Sequence, residues 1–381
     1  MTHTIQTACR LCASPLDPVM SFGYMALTSY FPTPGEEAPR IPLTVKVCAS
    51  CGLLQLGEST DPALMYRDGY GYKSGINESM VRHLQGIVAV AAKYTEPGDS
   101  ILDIGCNDGT LLKAWAGYGV KRFGVDPIGQ EVDGCAIRKS YFKYHFRQYK
   151  IITSIAMFYD VPKPLAFARN IAKSLASGGV WILEVGYAGA IQGGYWDGIC
   201  HEHLAYYGIR QIDILAKTIG LNILDYQLNP TNGGSLFCVI GRGNRADIDT
   251  VIDTERAWNW ERLPDEIATS CRRIRESVKG RRIHVMGAST KGNTLLQMCG
   301  FTATDIEAAI ERNPDKIGRV TPGSNIPIHD EIWARDHPPE AMLVLPYHFR
   351  DGILARYADM RMRGVKFIFP LPTVEIVYGM S

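Results

Sequence analysis

Ser100-Ile101-Leu102-Asp103-Ile104-Gly105-Cys106-Asn107-Asp108-Gly109 is the stretch on which the fold turns. It reads as a short buried strand running into a glycine-bearing turn, and a helical pattern begins at Thr110. A second strand at residues 122–125 ends at Asp126-Pro127, and further strands are read at 151–154 and, after a helix, at 179–185. Strands that alternate with helices predict a parallel α/β sheet. Residues 221–226 and 236–240 then read as a strand pair joined through Asn232-Gly233-Gly234.

Working outward, residues 61–92 read mostly as helix, interrupted by the aromatic turn Tyr66-Arg67-Asp68-Gly69-Tyr70-Gly71-Tyr72-Lys73-Ser74. Downstream, a charged helical stretch at 246–279 precedes a second α/β unit. Its first strand is Arg282-Ile283-His284-Val285-Met286, and later strands are read at 341–346 and 366–370. The first 60 residues are rich in Pro and turns and show little helical periodicity, so they need a staple. The predicted domains are therefore 1–60, 61–245 and 246–381. A chain of 381 residues exceeds one typical core, which agrees with that division.

Composition narrows the function. The 40 Lys and Arg against 39 Asp and Glu leave a net charge of +1, without the basic excess of a nucleic-acid-binding protein. With 46% hydrophobic and 21% charged residues the chain is an ordinary globular protein. No secretory signal or membrane-length apolar run is visible, so a cytoplasmic location is expected, with reduced thiols and no membrane partner.

Four of the ten cysteines form two pairs, Cys9-Arg10-Leu11-Cys12 and Cys48-Ala49-Ser50-Cys51, and the other six are scattered. Two residues between thiolates let one knuckle place both sulfurs on one ion, and two knuckles complete a closed, structural zinc site. Buried unpaired thiols or a redox pair are the alternatives. The 35 residues between the pairs exceed what a minimal zinc ribbon needs, and leave material for a surface.

Asp103-x-Gly105-x-x-x-Gly109, with Asp126 ending the next strand, lacks the GxGxxG spacing of a dinucleotide site. A carboxylate two positions before the first glycine suits S-adenosylmethionine, which carries a sulfonium and an amino group and no pyrophosphate. Cys200-His201-Glu202-His203-Leu204 offers two histidines without the i, i+4 spacing of a helical metal pair, and reads as acid–base machinery or as partly exposed histidines at a helix start. Gly287-Ala288-Ser289-Thr290-Lys291-Gly292-Asn293 is not a P-loop, yet a Gly-rich turn ending in a lysine at a helix start suits a phosphate. Arg319 and His348 are placed near the same crevice.

These motifs in order resemble the nucleotide-sugar 3-C-methyltransferases. The resemblance covers nearly the whole chain, from the cysteine pairs and the aromatic turn through residues 103–109, Asp126-Pro127, His201-Glu202-His203-Leu204 and Asn232-Gly233-Gly234-Ser235. It continues through Lys291-Gly292-Asn293, Arg312-Asn313-Pro314, Lys316-x-Gly318-Arg319 and Leu343-Val344-Leu345-Pro346. It implies a class I methyltransferase (Rossmann-like) domain flanked by a small zinc-binding domain and a C-terminal Rossmann-like domain. The implied cofactors are S-adenosylmethionine, at Asp103, Gly105, Asn107, Asp108, Gly109, Asp126, Pro127, Ser154 and Met157, and structural Zn2+ at Cys9, Cys12, Cys48 and Cys51.

The implied acceptor is a 4-keto-6-deoxy sugar on a dTDP or GDP handle. His203 would be the base that removes the carbon-3 proton, Glu202 would hold a sugar hydroxyl or the imidazole, and Tyr72 or Tyr70 would donate to the oxyanion. His201, Lys291, Asn293, Arg319 and His348 would bind the acceptor, the C-terminal residues at its diphosphate. Only 24 residues, 127–150, separate Asp126 from the next strand, where such a fold needs a helix, a strand and two turns. Thr153-Ser154-Ile155-Ala156 also departs from the Arg-Asn pair of many relatives. An O- or N-methyltransferase, or a non-catalytic zinc-containing relative that binds sugar nucleotides, are the alternatives these departures leave open.

Overall fold

The computed structural model describes residues 2–65, 73–144 and 146–379. The aromatic turn, with Tyr70 and Tyr72, lies outside the described residues except at its end.

A seven-stranded sheet forms the middle of the molecule. Its order is Asn222–Asn229, Ser235–Gly241, Leu175–Gly186, Tyr149–Ile155, Ser100–Ile104, Lys121–Val125 and Cys135–Arg138. Ser235–Gly241 runs antiparallel to both neighbours, and the other pairings are parallel. The chain starts the sheet at Ser100–Ile104 and later returns to its other side at Tyr149–Ile155. The carboxyl ends of these two strands therefore part at a topological switch point, where open α/β sheets bind ligands.

The 127–150 segment resolves its own ambiguity. Cys135–Arg138 is present as the edge strand, in parallel register with Lys121–Val125. Turns lead to it, and no helix occurs among the described residues of the segment. The fold keeps the strand and drops the helix.

The N-terminal residues form a four-stranded antiparallel sheet, in the order Ala205–Tyr206, Leu54–Leu56, Arg40–Cys48 and Leu16–Ala26. Its fourth strand comes from the middle of the chain, directly after His201-Glu202-His203-Leu204. A division at residue 60 therefore separates two pieces of one sheet. The C-terminal sheet has six strands, Ile328–His329, Ala308–Ile310, Ile283–Met286, Ala341–Val344, Lys366–Phe369 and Glu375–Val377, parallel apart from the last.

The cores are shared across these units. Leu43, Leu54 and Leu56 of the N-terminal sheet pack in one cluster with Trp196, Ile199, Val285 and Leu343. Cys9, Cys48, Cys51 and Leu53 pack in another with Trp181, Tyr207 and Ile212. A fully buried Leu or Ile contributes roughly 1.5–3 kcal/mol, so these seams carry much of the stability. No described helix is long and apolar enough to cross a membrane.

Candidate active site and metal centre

The two cysteine pairs form matching knuckles. Ala13 N–H donates to the Cys9 carbonyl and Gly52 N–H to the Cys48 carbonyl, both at 2.9 Å. Each donor residue is left-handed, with φ of 60° and 73°. The Leu11 and Cys51 N–H groups point at the Cys9 and Cys48 sulfurs, at 3.4 and 3.5 Å. All four sulfurs lie within 4.8 Å of one another, and Cys9–Cys51 and Cys12–Cys48 are 3.6 and 3.5 Å apart. The edge of a tetrahedron with ~2.3 Å zinc–sulfur bonds is about 3.8 Å. The donor set fits a closed zinc site with no position for substrate.

At the carboxyl ends of Ser100–Ile104 and Tyr149–Ile155 opens a cavity of about 570 Å³, within the ~300–1,000 Å³ of small-ligand pockets. Asp103, Gly105, Asn107, Asp126, Pro127 and Met157 line it. The turn is shaped for this approach. Gly105 has φ of 78°, and a methyl there would sit 2.9 Å from Met157 Cγ. Asp126 organises it through both carboxylate oxygens, accepting from Asn107 N–H at 2.9 Å and Ile128 N–H at 2.8 Å. Burial lifts the Asp103 carboxyl to about 7, opposed by the Thr153 hydroxyl, which donates to it at 2.6 Å.

Three expected cofactor residues do not line the cavity. Ser154 lies on the other face of its strand, where its hydroxyl accepts from Trp181 Nε1 at 3.1 Å. Asp108 accepts from the Thr110 hydroxyl at 2.6 Å and from Gly75 N–H at 2.8 Å, so it ties the turn to the segment after residue 73. Gly109 leaves room for Val132, whose Cγ2 lies 2.1 Å from where a β-carbon would stand. Conversely, Tyr141 and Phe142 line the cavity from the shortened segment, where the sequence shows an aromatic cluster but not which of its rings face inward.

The second constellation surrounds residues 197–203. His203 Nδ1 donates to the Gly198 carbonyl at 2.7 Å. A carbonyl only accepts, so Nδ1 carries the proton and Nε2 keeps its lone pair. Burial, reinforced by the Lys291 ammonium, lowers its pKa to about 3, which keeps the ring neutral. Tyr159 packs edge-on against it at 4.4 Å. Glu202 is 5% exposed, and its Oε1 has no partner among the described residues. Burial raises its carboxyl, against the Ser29 and Thr290 hydroxyls and the Lys316 ammonium. Ser29, from the insert between the cysteine pairs, was invisible as a site residue because its partner lies far along the chain.

His201 does not join this group. Its Nε2 lies 3.0 Å from the Ile41 carbonyl, to which it donates, and burial holds its pKa down to about 4. The two histidines therefore do not converge on a metal. Asn293 and Arg319 are also committed elsewhere: Asn293 Nδ2 donates to the Thr28 carbonyl at 2.7 Å, and Arg319 to the Phe31 carbonyl at 2.9 Å. Both dock the N-terminal insert on the C-terminal unit. Lys291 lies beside both His203 and His348. Lys291 Nζ donates to the Asn232 carbonyl at 2.6 Å, and its charge, after burial, lowers the His348 pKa to about 3. Asp197 and Tyr347, which the motifs did not single out, meet beside them at 2.8 Å.

Comparison with known proteins bears on this arrangement. Residues 9–66 match the profile of a zinc binding domain, residues 76–226 that of a methyltransferase domain, and residues 230–372 that of a C-methyltransferase C-terminal domain. The C-methyltransferase NovU of Streptomyces niveus is 25% identical over 421 aligned positions, covering 98% of this chain and 97% of that protein. Among solved structures, an S-adenosylmethionine-dependent methyltransferase from Clostridium acetobutylicum is 12% identical and covers 43% of this chain and 92% of its own, with a TM-score of 0.35. Magnesium protoporphyrin IX methyltransferase from Synechocystis is 16% identical, covers 47% and 90%, and has a TM-score of 0.36.

Proposed function

The chain belongs to the S-adenosylmethionine-dependent C-methyltransferases, and from that premise we propose that it methylates carbon 3 of a nucleotide-linked 4-keto-6-deoxy sugar. The observation that carries this reading is the state of His203. Its Nδ1–H is committed to the Gly198 carbonyl, so Nε2 keeps its lone pair free to accept a proton. A carbon acid next to a ketone needs such a base, whereas many heteroatom acceptors do not.

When bound, S-adenosylmethionine supplies an electrophilic methyl group. Asp103, Asn107, Asp126 and Met157, which line the cavity at the switch point, would hold it there. His203 Nε2 takes the carbon-3 proton, and the C–H electron pair moves into an enolate whose charge rests on the carbon-4 oxygen. Lys291 is the cation beside the base and steadies that charge. The enolate carbon would take up the methyl group that the cofactor supplies, the electron pair of the broken S–CH3 bond staying with its sulfur. Glu202 accepts a sugar hydroxyl at Oε1, which has no partner among the described residues. The nucleotide, of dTDP or GDP type, lies toward Lys291 and His348, and the segments 1–60, 61–245 and 246–381 act as one unit around it.

The test is incubation with S-adenosylmethionine and a panel of dTDP- and GDP-linked 4-keto-6-deoxy sugars. A gain of about 14 Da, and cofactor-independent exchange of the carbon-3 proton with deuterated solvent, are expected. Neither gain nor exchange across the panel refutes the proposal. Full activity of His203→Gln refutes the assignment of the base.

A further inference from the structure

The base is held by a single carbonyl, and that carbonyl is itself held from the C-terminal unit. Gly198 closes the short 3-10 turn Trp196–Gly198. Asp197, in the same turn, is 2% exposed. Its carboxylate accepts the Tyr347 hydroxyl at 2.8 Å, and Tyr347 follows the C-terminal strand Ala341–Val344. The Tyr347 ring stacks on Tyr195, with centroids 5.6 Å apart and planes at 21°, immediately before the turn. Burial pushes the Asp197 carboxyl up, while the Lys291 ammonium and the Tyr347 hydroxyl oppose that rise. The backbone N–H groups of Asp197 and Gly198 also favour the carboxylate, which holds it against its own turn.

We infer that Asp197 and Tyr347 are positioning residues for His203, setting its tautomer through the Gly198 carbonyl. The inference rests on the reading of His203 as the base. The chain of contacts is short and directional. Tyr347 fixes the Asp197 carboxylate, that carboxylate fixes the 196–198 turn, and the turn aims the Gly198 carbonyl at Nδ1. Lys291 lies against the same turn, since a methyl on Gly198 would stand 4.0 Å from its Nζ. A turn released from Tyr347 lets the imidazole rotate or change tautomer, and the Nε2–H form cannot take a proton at Nε2.

Tyr347→Phe is the lead variant, because it deletes one oxygen and keeps the stacked ring; Asp197→Ala is the second. Carbon-3 deuterium exchange of the 4-keto-sugar nucleotide that the wild type turns over is measured beside S-adenosylmethionine affinity and the 15N imidazole spectrum. The His203 resonance is identified by its loss in His203→Gln. Both variants are expected to slow exchange about 10- to 100-fold, with acceptor KM within about twofold and cofactor affinity unchanged. The His203 signal should change from one Nδ1–H tautomer to a mixture, which a loss of general stability would not produce. Wild-type exchange with an unchanged tautomer in Tyr347→Phe overturns the inference while leaving the base intact. Wild-type exchange in His203→Gln overturns the base reading itself.

Discussion

Cofactor binding should expel a proton from Asp103, and the pH dependence follows from its burial. The side chain is 3% exposed, and loss of hydration lifts its carboxyl to about 7, with the Thr153 hydroxyl opposing and Asp126 reinforcing the rise. Below pH 7 the ligand-free protein therefore holds Asp103 as the neutral acid. A sulfonium and an ammonium in the adjoining cavity favour the carboxylate, so the bound state has the lower pKa and binding releases a proton. Affinity then falls about tenfold per pH unit below 7, until the pKa of the bound state is reached. Between pH 7, where half of Asp103 is already protonated, and pH 5 the loss amounts to as much as ~50-fold, or about 2.3 kcal/mol. Folding carries the matching sign. The folded pKa exceeds the unfolded one, so the contribution of Asp103 to stability is full below about pH 4 and is lost as pH rises to 7. Isothermal titration of S-adenosylmethionine from pH 5 to 7, in buffers of different ionisation enthalpy, measures both affinity and proton release. Asp103→Asn should flatten the affinity profile and raise ligand-free stability above pH 7. An affinity independent of pH in the wild type, or an Asp103→Asn variant that keeps the wild-type slope, refutes the reasoning.

Other consequences are simpler to measure. Cys51→Ser should lower bound zinc per chain and the melting temperature together, since structural zinc adds directly to folding free energy. Hydrogen exchange should then rise at residues 205–211 as well as around the knuckles, because Gln211 Nε2 donates to the Cys51 carbonyl at 2.8 Å. Gly109→Ala puts a β-carbon 2.1 Å from Val132 Cγ2 at φ of 72°, and should lose about 2–5 kcal/mol in urea unfolding from left-handed strain plus overpacking. Gly220→Ala is its control, with φ of 74° and nothing within 4 Å, and should lose only about 1–2 kcal/mol.

What the sequence discloses is what short segments determine. The turn after Asp103 and the cysteine knuckles are written within about ten residues each, and both fold as read. The strand Cys135–Arg138 is harder, because an exposed four-residue edge strand with alternating burial has no strong apolar signature. The substrate residues were legible in type but not in partner. His201, Asn293 and Arg319 carry donors suited to a ligand, yet they meet the carbonyls of Ile41, Thr28 and Phe31 across 160, 265 and 288 residues. No local pattern encodes such contacts. Tyr347 and Asp197 went unread for the same reason, at a separation of 150.

The strand Ala205–Tyr206 has a bearing on how such enzymes are recombined. It sits at the edge of the N-terminal sheet, while Leu204, just before it, accepts the Leu56 N–H at 3.0 Å. A chimera cut at residue 60 would graft a foreign sheet onto a native edge strand, and the mismatch would fall beside His203. The structural unit is therefore discontinuous: the first 60 residues travel with residues 201–211.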